Sequence, residues 1–489
     1  MISLAAPTWN WISLVPLMPE LWLIFVAIAL LMAGVFFKKA NASIIALWAL
    51  VGIFVALLAL LWTNFPRTTV LNNMIVMDGL ARAFKFLILG GLFASLCLAL
   101  KDFKDKIFNR FEIPVLMLIA GVGMMLMVSS NNLLSLYVAL ELQSLTLYVL
   151  AAVRRESVAS SEAGLKYFLL GALSSGLLLF GISLIYGYAG SLDFDVLSYT
   201  FAQNFMALPV GAIFGLAFIL AGLAFKISAV PFHMWTPDVY QGSPNFITAF
   251  FAIVPKIAAF GLIIRLLYVP FAGAVFDWSQ IIIFLSIASM LVGAFAGIAQ
   301  KDLKRLLAYS SIGNVGFALL GLIAGSPEGV ASTILYLALY MVGTAGTFAI
   351  LLTLYKNDTV ETPMKQLSGL VKSQPVFAYS LAILLFSVAG IPPFAGFFGK
   401  LFIFQSVVNG GFIFVAIIGV LASVVSAYYY IRLIKIMFFD EPTETLTVAL
   451  CPARVFVLSL SLFITILFII VPNVMLNQAI IAAQNLFGF

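Results

Sequence analysis

The chain has 489 residues, of which 64% are hydrophobic and 9% are charged, with a mean hydropathy of +1.17 and a formal net charge of +6. Because soluble globular domains carry about 25% charged residues, this composition excludes a soluble enzyme or binding domain and indicates a polytopic membrane protein. The positive charges are spread over short connections and form no basic patch, which excludes a nucleic-acid-binding domain.

The cysteine and glycine patterns predict no metal or cofactor site. Cys97 and Cys451 lie in or beside different apolar segments and show neither a CxxC motif nor a metal-binding spacing. No Gly-x-Gly-x-x-Gly motif opens a βαβ unit, so no dinucleotide site is expected. We expect both cysteines to be packing residues.

Fourteen apolar segments are candidates to cross a bilayer, which takes about 20 residues. We number them spans 1 to 14, and they cover residues 16–37, 43–62, 79–100, 112–129, 132–153, 163–189, 208–237, 241–269, 278–299, 303–324, 328–355, 375–408, 410–438 and 453–475. Spans 7 and 12 are long and contain Pro231 and Pro392–Pro393, so both are predicted to be broken. The predicted fold is therefore an all-α polytopic membrane protein, with one transmembrane domain over residues 1–489.

Charged residues divide the connections into two classes. Connections after odd-numbered spans hold most of the basic residues, namely Lys38, Lys39, Lys101, Lys104, Lys106, Arg110, Arg154, Arg155, Lys301, Lys304, Arg305, Lys356, Lys365, Lys372 and Arg454. Connections after even-numbered spans are mainly acidic, with Arg67 as the main exception. The positive-inside rule then places the odd connections in the cytoplasm or matrix and both termini on the periplasmic or intermembrane side.

The chain also resembles itself. Three weak matches are collinear and relate spans 4–8 to spans 9–13: LLSLYVALE (133–141) with LLAYSSIGN (306–314), SAVPF (228–232) with AGIPP (389–393), and IIRLL (263–267) with YIRLI (430–434). Because each copy has an odd number of spans, the second copy must be inverted. Inverted repeats with broken helices are typical of membrane transporters, in which the breaks mark the transport site.

The predicted repeat divides the single domain into four parts. Residues 1–110 hold spans 1–3, residues 111–270 form the first repeat, residues 275–440 form the inverted second repeat, and residues 441–489 hold span 14.

Several ionisable residues fall inside the predicted spans: Glu141, Lys166, Lys226, His233, Lys256 and Lys400. A charge at the bilayer centre costs about 2.5–3.5 kcal/mol on insertion scales, so these groups must face protein or water and find partners. Intramembrane ionisable residues indicate ion or proton paths by default. Lys166 and Arg265 lie near helix ends, where a structural pairing role explains them equally well.

Lysine is suited to proton transfer because desolvation lowers its usual pKa near 10.4 and a nearby carboxylate raises it again. The sequence therefore predicts a Glu141–Lys226 pair that holds a proton when close and releases it when parted. Pro231 frees backbone groups beside Lys226, and such groups are tolerated at membrane depth only beside protein or water. We expect a hydrated break in which Lys226 and His233 exchange protons.

Five stretches carry a resemblance to a known family. They are ELQSLTLYVLAAVRR (141–155), SSEAGLKYFLLGALSSGLLLFG (160–181), FKISAVPFHMWTPDVYQGSP (225–244), KRLLAYSSIG (304–313) and AGIPPFAGFFGK (389–400). These stretches resemble the subunit N family of bacterial respiratory complex I, called subunit 2 of NADH:ubiquinone oxidoreductase in mitochondria. The resemblance covers nearly all of the chain.

The resemblance implies an antiporter-like, proton-translocating subunit of the complex I membrane arm, which couples NADH:quinone electron transfer to proton pumping. By matching motifs, Glu141 and Lys226 would be the ion pair of spans 5 and 7. Lys256 would be the central lysine of span 8, and Lys400 the exit-side lysine of span 12. Lys166 and His233 would be accessory relay positions.

The resemblance also implies the cofactors, partners and location. This chain would hold no cofactor, while partner subunits hold FMN, iron–sulfur clusters and quinone. Its partners would be other membrane-arm subunits, including neighbouring antiporter-like subunits and the small membrane subunits. Its location would be a bacterial plasma membrane or a mitochondrial inner membrane. Many relatives have a histidine where this chain has Asn314, which argues against a relay through span 10.

Two alternatives remain open from the sequence. The chain could belong to a multi-subunit cation/proton antiporter or a membrane hydrogenase, and sodium-dependent transport would favour that assignment. It could also be a structural spacer of the membrane arm, and coupled pumping would then survive replacement of Lys226 or Lys256. The sequence argues against a standalone redox enzyme, because it shows no group that could carry electrons.

Overall fold

The computed structural model describes residues 11–37, 41–63, 67–202, 209–354, 362–442, 448 and 450–487. Three residues of the predicted basic connections, Lys38, Lys39 and Lys356, lie outside these ranges. The same is true of the first residue of span 7 and the last residue of span 11.

The described residues are almost entirely helical. The helices are α1 (Met18–Phe36), α2 (Ala42–Trp62), α3 (Gly79–Ala99), α4 (Glu112–Val128), α5 (Leu133–Ala151), α6 (Val158–Ala189), α7 (Phe194–Ala202), α8 (Val210–Ile227), α9 (Trp235–Gly242), α10 (Asn245–Ile253), α11 (Pro255–Tyr268), α12 (Val275–Ile298), α13 (Leu303–Leu320), α14 (Pro327–Leu354), α15 (Leu370–Ser373), α16 (Pro375–Ala389), α17 (Ala395–Asn409), α18 (Ile413–Phe439), α19 (Pro452–Ile470) and α20 (Asn473–Phe487). One antiparallel hairpin, β1 (Thr68–Val70) with β2 (Ile75–Met77), precedes α3.

The predicted all-α membrane fold is confirmed, and the chain is an integral, multi-pass membrane protein. Among the described residues, 11 helical segments are long and apolar enough to cross a membrane. Helices lie over all fourteen predicted ranges, but spans 4, 10 and 12 are not among those 11 segments. The count of fourteen and the inverted repeat therefore stay predictions.

The segment α10–α11 forms the centre of the bundle. Every residue of the most apolar stretch within Asn245–Tyr268 is buried. In the corresponding stretches of α18 and α19, only 33% of the residues are buried. The exposed side chains of such outer helices are mainly large and apolar, as lipid contact requires. The protein surrounds α10–α11 with other helices and leaves the outer helices to face the bilayer.

Both predicted breaks are present, and their first halves end in the same way. α8 is followed by Ser228 at φ +65°, and α16 is followed by Gly390 at φ +84°. In each case the N–H of the following residue donates a hydrogen bond to the carbonyl five residues earlier. These bonds run from Ala229 N to Ala224 O at 2.8 Å and from Ile391 N to Phe386 O at 3.0 Å. This left-handed ending terminates a helix while satisfying a carbonyl group.

The structure also contains two features that the sequence analysis missed. Span 8 is interrupted between α10 and α11, at Val254, because Pro255 has no N–H to donate to the preceding turn. After α19, the helix of span 14, the chain forms α20, which packs against α3, α11 and α14. Tyr268 and Phe487 meet there with ring centroids 5.3 Å apart.

Candidate functional site

Three of the predicted site residues, all of them lysines on different helices, are buried inside the bundle. Lys226 is the second-last residue of α8, Lys256 is the second residue of α11 and Lys400 lies in α17. Their relative exposures are 6%, 2% and 4%. Each lies next to one of the interruptions in spans 7, 8 and 12. Because helix interruptions free backbone groups that need polar partners, the same places can accept a buried amine.

Lys226 contacts hydroxyl groups of α5. Its Nζ donates to Ser144 Oγ at 2.8 Å and to Tyr148 Oη at 3.2 Å. The half-buried carboxylate of Glu141 accepts a hydrogen bond from Ser175 instead of forming an ion pair with Lys226. Since Ser144 follows Glu141 by three positions, both side chains lie on the same face of α5. Glu141 thus lies on the face of α5 that carries Ser144, the direct partner of Lys226, and the predicted ion pair between Glu141 and Lys226 stays a prediction.

His233 lies in the break itself, between α8 and α9, and is half-buried. Its Nδ1 is buried and has no hydrogen-bond partner among the described residues. The structure places His233 seven positions after Lys226, with no hydrogen bond joining the two side chains in the described part of the chain.

Lys256 reaches from the central helix to α13. Its Nζ donates to Ser311 Oγ and lies 5.4 Å from the centre of the Tyr240 ring. Ser311 belongs to α13 and Tyr240 to α9. The lysine therefore connects α9, the second half of broken span 7, with α13, the second helix of the predicted second repeat.

Next to Lys256, α13 carries a network of hydroxyl groups and one amide. Ser310 Oγ and Tyr430 Oη lie 2.5 Å apart, and Asn314 Nδ2 donates to the Ser310 carbonyl at 2.8 Å. Tyr336 Oη donates to Asn314 Oδ1 at 2.6 Å. Asn314 is thus held from both ends of its amide, a structural role that its position alone did not reveal.

A small cavity borders this network. It has a volume of about 20 Å³, and its lining includes Ser310, Tyr340, Thr344 and Tyr430. A polar cavity of roughly 10–15 Å³ is enough to hold one water molecule. The hydroxyl network therefore has room for a water molecule on its side facing α14.

Lys400 contacts the end of the helix half that precedes it. Its Nζ donates to the Ala389 carbonyl at 2.8 Å and to Ser423 Oγ at 2.9 Å. The same nitrogen lies 4.4 Å from the centre of the Phe317 ring, which belongs to α13. Because Ala389 is the last residue of α16, the break supplies the carbonyl that solvates the amine.

Lys166 lies apart from the three buried lysines. Its side chain is 43% exposed and pairs with Glu162 at 2.7 Å and with Asp238 at 2.9 Å. Of the six predicted site residues, the structure buries three lysines and leaves Glu141, His233 and Lys166 half-buried.

Two buried ion pairs were missed by the sequence analysis. Lys85 of α3 lies 2.5 Å from Glu20 of α1, and both are at most 1% exposed. Arg265 of α11 forms a bidentate ion pair with Asp78, in which Nη1 lies 2.8 Å from Oδ2 and Nη2 lies 2.7 Å from Oδ1. Arg265 therefore has the structural pairing role that was one of its two interpretations. Within the described ranges, no group of three or more metal-ligating side chains is present.

Comparison with known proteins gives one family over most of the chain. Residues 130–426 match the family described as NADH:quinone oxidoreductase/Mrp antiporter, transmembrane. NADH-quinone oxidoreductase subunit N of Rhodospirillum rubrum is 46% identical over 481 residues, covering 98% of this chain and 99% of that protein.

Two solved structures are similar to the fold. A chain of respiratory complex I from Thermus thermophilus with bound aureothin is 33% identical, with a TM-score of 0.81 over 94% of this chain and 99% of its own. A chain of the Mrp complex from a Dietzia species has a TM-score of 0.84 but 21% identity, with 98% of each chain covered, and shows a shared fold alone. From its full-length relatives and its matching family, this chain belongs to the subunit N family of NADH-quinone oxidoreductase.

Proposed function

We propose that the chain moves protons across the membrane as an antiporter-like subunit of respiratory complex I. The observation that carries the proposal is the set of three buried lysines whose Nζ atoms contact hydroxyl or carbonyl oxygens and, among the described residues, no carboxylate. A buried ammonium without a counter-ion is costly, whereas an amine that takes up and releases a proton can be neutral for part of a cycle.

The neighbouring groups are suited to passing protons. Hydroxyls both donate and accept hydrogen bonds. The hydroxyls of Ser144, Ser311 and Ser423 can therefore accept a hydrogen bond from a protonated lysine and donate one to the same lysine when it is neutral. Glu141 supplies a carboxylate on the same face of α5 as the Lys226 contact. Movement of Glu141 toward Lys226 would favour the charged amine, and movement away would favour proton release.

We further propose that the energy comes from the whole assembly. The relatives are named as subunits of NADH-quinone oxidoreductase, and the Thermus chain is part of complex I. This chain would therefore act beside other membrane-arm subunits, while partners hold the flavin, the iron–sulfur clusters and the quinone. The odd-numbered connections would face the cytoplasm or matrix.

The decisive test uses the complete complex in sealed liposomes, with NADH oxidation and proton uptake measured together. Lys256→Arg keeps a positive charge at the site but cannot release a proton near neutral pH. We expect Lys256→Arg to lower the number of protons moved per electron as strongly as Lys256→Met does. Normal proton movement in Lys256→Arg would contradict proton exchange at this lysine, and normal movement in both variants would favour a structural spacer.

A purification experiment tests the assembly. Isolation of the chain from its native membrane with mild detergent is expected to recover flavin and iron–sulfur subunits together with NADH:quinone activity. Recovery with antiporter subunits alone, and without NADH oxidation, would contradict the complex I role.

A further inference from the structure

Three charged side chains from three helices meet at one face of the molecule. Asp238 of α9 lies between Lys166 of α6 and Arg305 of α13, with one carboxylate oxygen 2.9 Å from Lys166 Nζ and the other 2.8 Å from Arg305 Nη1. The same Arg305 nitrogen donates to Gln241 Oε1 at 3.0 Å. Two cations on one carboxylate favour its ionised form, so Asp238 acts as a fixed negative charge.

The helix that carries Asp238 is short and cannot hold its own position. α9 has 8 residues and lies between the break of span 7 and Ser243. Isolated helices shorter than about 12–15 residues are marginal, so contacts with neighbouring helices decide where such a helix lies. On α9 these contacts include the stack of Trp235 on Tyr167, at 4.3 Å between ring centroids, and the two ion pairs of Asp238.

α9 lies between a surface cavity, which has charged side chains in its lining, and a buried lysine. On one side lies a cavity of about 110 Å³, whose lining includes Glu162, Lys166, Asp238 and Gln241. That volume is several times the roughly 10–15 Å³ needed for one water molecule. On the other side, Tyr240 covers Lys256 at 5.4 Å. Residues two apart on a helix point in nearly opposite directions, so Asp238 faces the cavity and Tyr240 faces the lysine.

We propose that Lys166, Asp238 and Arg305 form a latch that fixes α9 over Lys256, and that opening this latch connects the cavity with that lysine. Asp238 is then a positioning residue, because it makes no direct contact with Lys256 and acts on it only by fixing the position of α9 and Tyr240. Lys166 serves as a partner of the latch in place of the accessory relay suggested by the family resemblance. The role in transport rests on the proposed function, whereas the holding of α9 does not.

The exposure of the three side chains fits a latch that opens and closes. Lys166, Asp238 and Arg305 are 43%, 37% and 28% exposed, in contrast with the fully buried pair of Lys85 and Glu20. Half-exposed ion pairs contribute little individually and are screened by salt, so thermal motion can break them. A buried pair could not open in this way without leaving a charge unpaired.

The latch can be tested by amide hydrogen exchange in the purified complex, read on peptides that cover residues 235–242. Asp238→Asn is expected to speed exchange in that segment about tenfold, because local opening of a small element depends on the contacts that hold it. Glu162→Gln is the matched control, since it removes the other carboxylate on Lys166, and among the described residues Glu162 forms no ion pair with a residue of α9. Unchanged exchange in Asp238→Asn, or equal acceleration in both variants, would overturn the latch.

A second readout separates the latch from the transport role. In liposomes, Asp238→Asn is expected to lower the number of protons moved per electron, and Asp238→Glu, which restores the charge, is expected to recover most of it. Faster exchange with normal pumping in Asp238→Asn would overturn the path to Lys256 while leaving α9 held as described. If Asp238→Asn fails to assemble, Lys166→Gln replaces it, with a smaller acceleration expected because Arg305 still holds α9.

The exchange result stands apart from the proposed function. If Lys256→Met pumps normally, the proton role fails, yet the exchange rate of residues 235–242 still decides whether Asp238 holds α9.

Discussion

Spans 7 and 12, the two spans that were predicted to break, share a backbone ending but present their lysines differently. α8 and α16 both end at a left-handed residue, Ser228 and Gly390. Lys226 precedes its break and contacts α5 beside Glu141, whereas Lys400 follows its break and contacts a carbonyl and a hydroxyl. Where the predicted repeat aligns a counterpart of Glu141, the second half has Asn314.

The difference concerns what can change the charge of each lysine. A carboxylate that moves can favour or disfavour a charged amine, and the first half has one on the same face as its lysine. Asparagine does not titrate, and Asn314 is held by Tyr336 and the Ser310 carbonyl. On the proposed function, control by a carboxylate therefore belongs to the first half, and the second half responds through hydroxyls and backbone carbonyls.

The largest expected effect is the loss of either lysine. Lys226→Met and Lys400→Met should each lower coupled NADH:quinone turnover at least tenfold, given that a positioned acid or base contributes roughly a factor of 100 or more. Lys435→Met is the control, because that lysine is 60% exposed and pairs with Asp440 outside the network. Turnover and proton uptake in liposomes give the measurement. If only one of the two variants lost coupled turnover, the two halves would not both depend on a buried lysine, which would contradict the comparison between them.

A smaller effect is expected from the groups that differ between the halves. Glu141→Gln keeps the shape and an acceptor for Ser175 but removes the charge, so coupled turnover should fall about fivefold, equivalent to roughly 1 kcal/mol. Asn314→Leu removes no charge and should change turnover less than Glu141→Gln does. Parallel assays of the two variants in liposomes decide the matter. Equal losses of coupled turnover in the two variants would show that the charge of Glu141 contributes nothing beyond what the uncharged Asn314 contributes.

The smallest effect concerns the two helix endings. A left-handed conformation costs an ordinary residue about 1–2 kcal/mol, so Ser228→Gly should stabilise the protein by about that amount. The Ser228 hydroxyl is buried without a partner among the described residues, which adds to the expected gain. Gly390→Ala should destabilise, because its new Cβ would lie 2.8 Å from Lys400 Cδ.

Thermal unfolding of the complex, followed by the loss of NADH:quinone activity, measures both changes. A lower melting temperature in Ser228→Gly would indicate that its hydroxyl has a stabilising partner in the break, and the two endings would no longer be equivalent.

Hydropathy and proline were sufficient to predict the main fold. Long apolar runs can satisfy their backbone in a membrane only as helices, and proline must interrupt them, so spans 7 and 12 were predicted to break. The third interruption, at Val254, was missed because one residue separates two helices that still follow each other closely. Pro255, directly before Lys256, was the available signal.

The candidate site was only partly predictable. Buried lysines are visible in an apolar sequence, but their partners Tyr148, Tyr240 and Ser311 look like ordinary membrane residues until the helices are packed. Lys166 was predicted to lie inside the membrane, but its side chain is 43% exposed. The position of a residue along a helix does not tell which side of the bundle its side chain faces. Glu20 lies in the first turn of α1, where an acidic residue is unremarkable until its contact with Lys85 is known.

The enclosure of α10–α11 has a consequence for how the bilayer acts on this protein. Because other helices surround that segment, we expect the neighbours of Lys256 to change little with the length of the acyl chains outside. Lys400 is bonded to Ser423, which is partly exposed on the lipid-facing helix α18. Changes in bilayer thickness, which tilt outer helices at modest cost, should therefore alter the surroundings of Lys400 before those of Lys256.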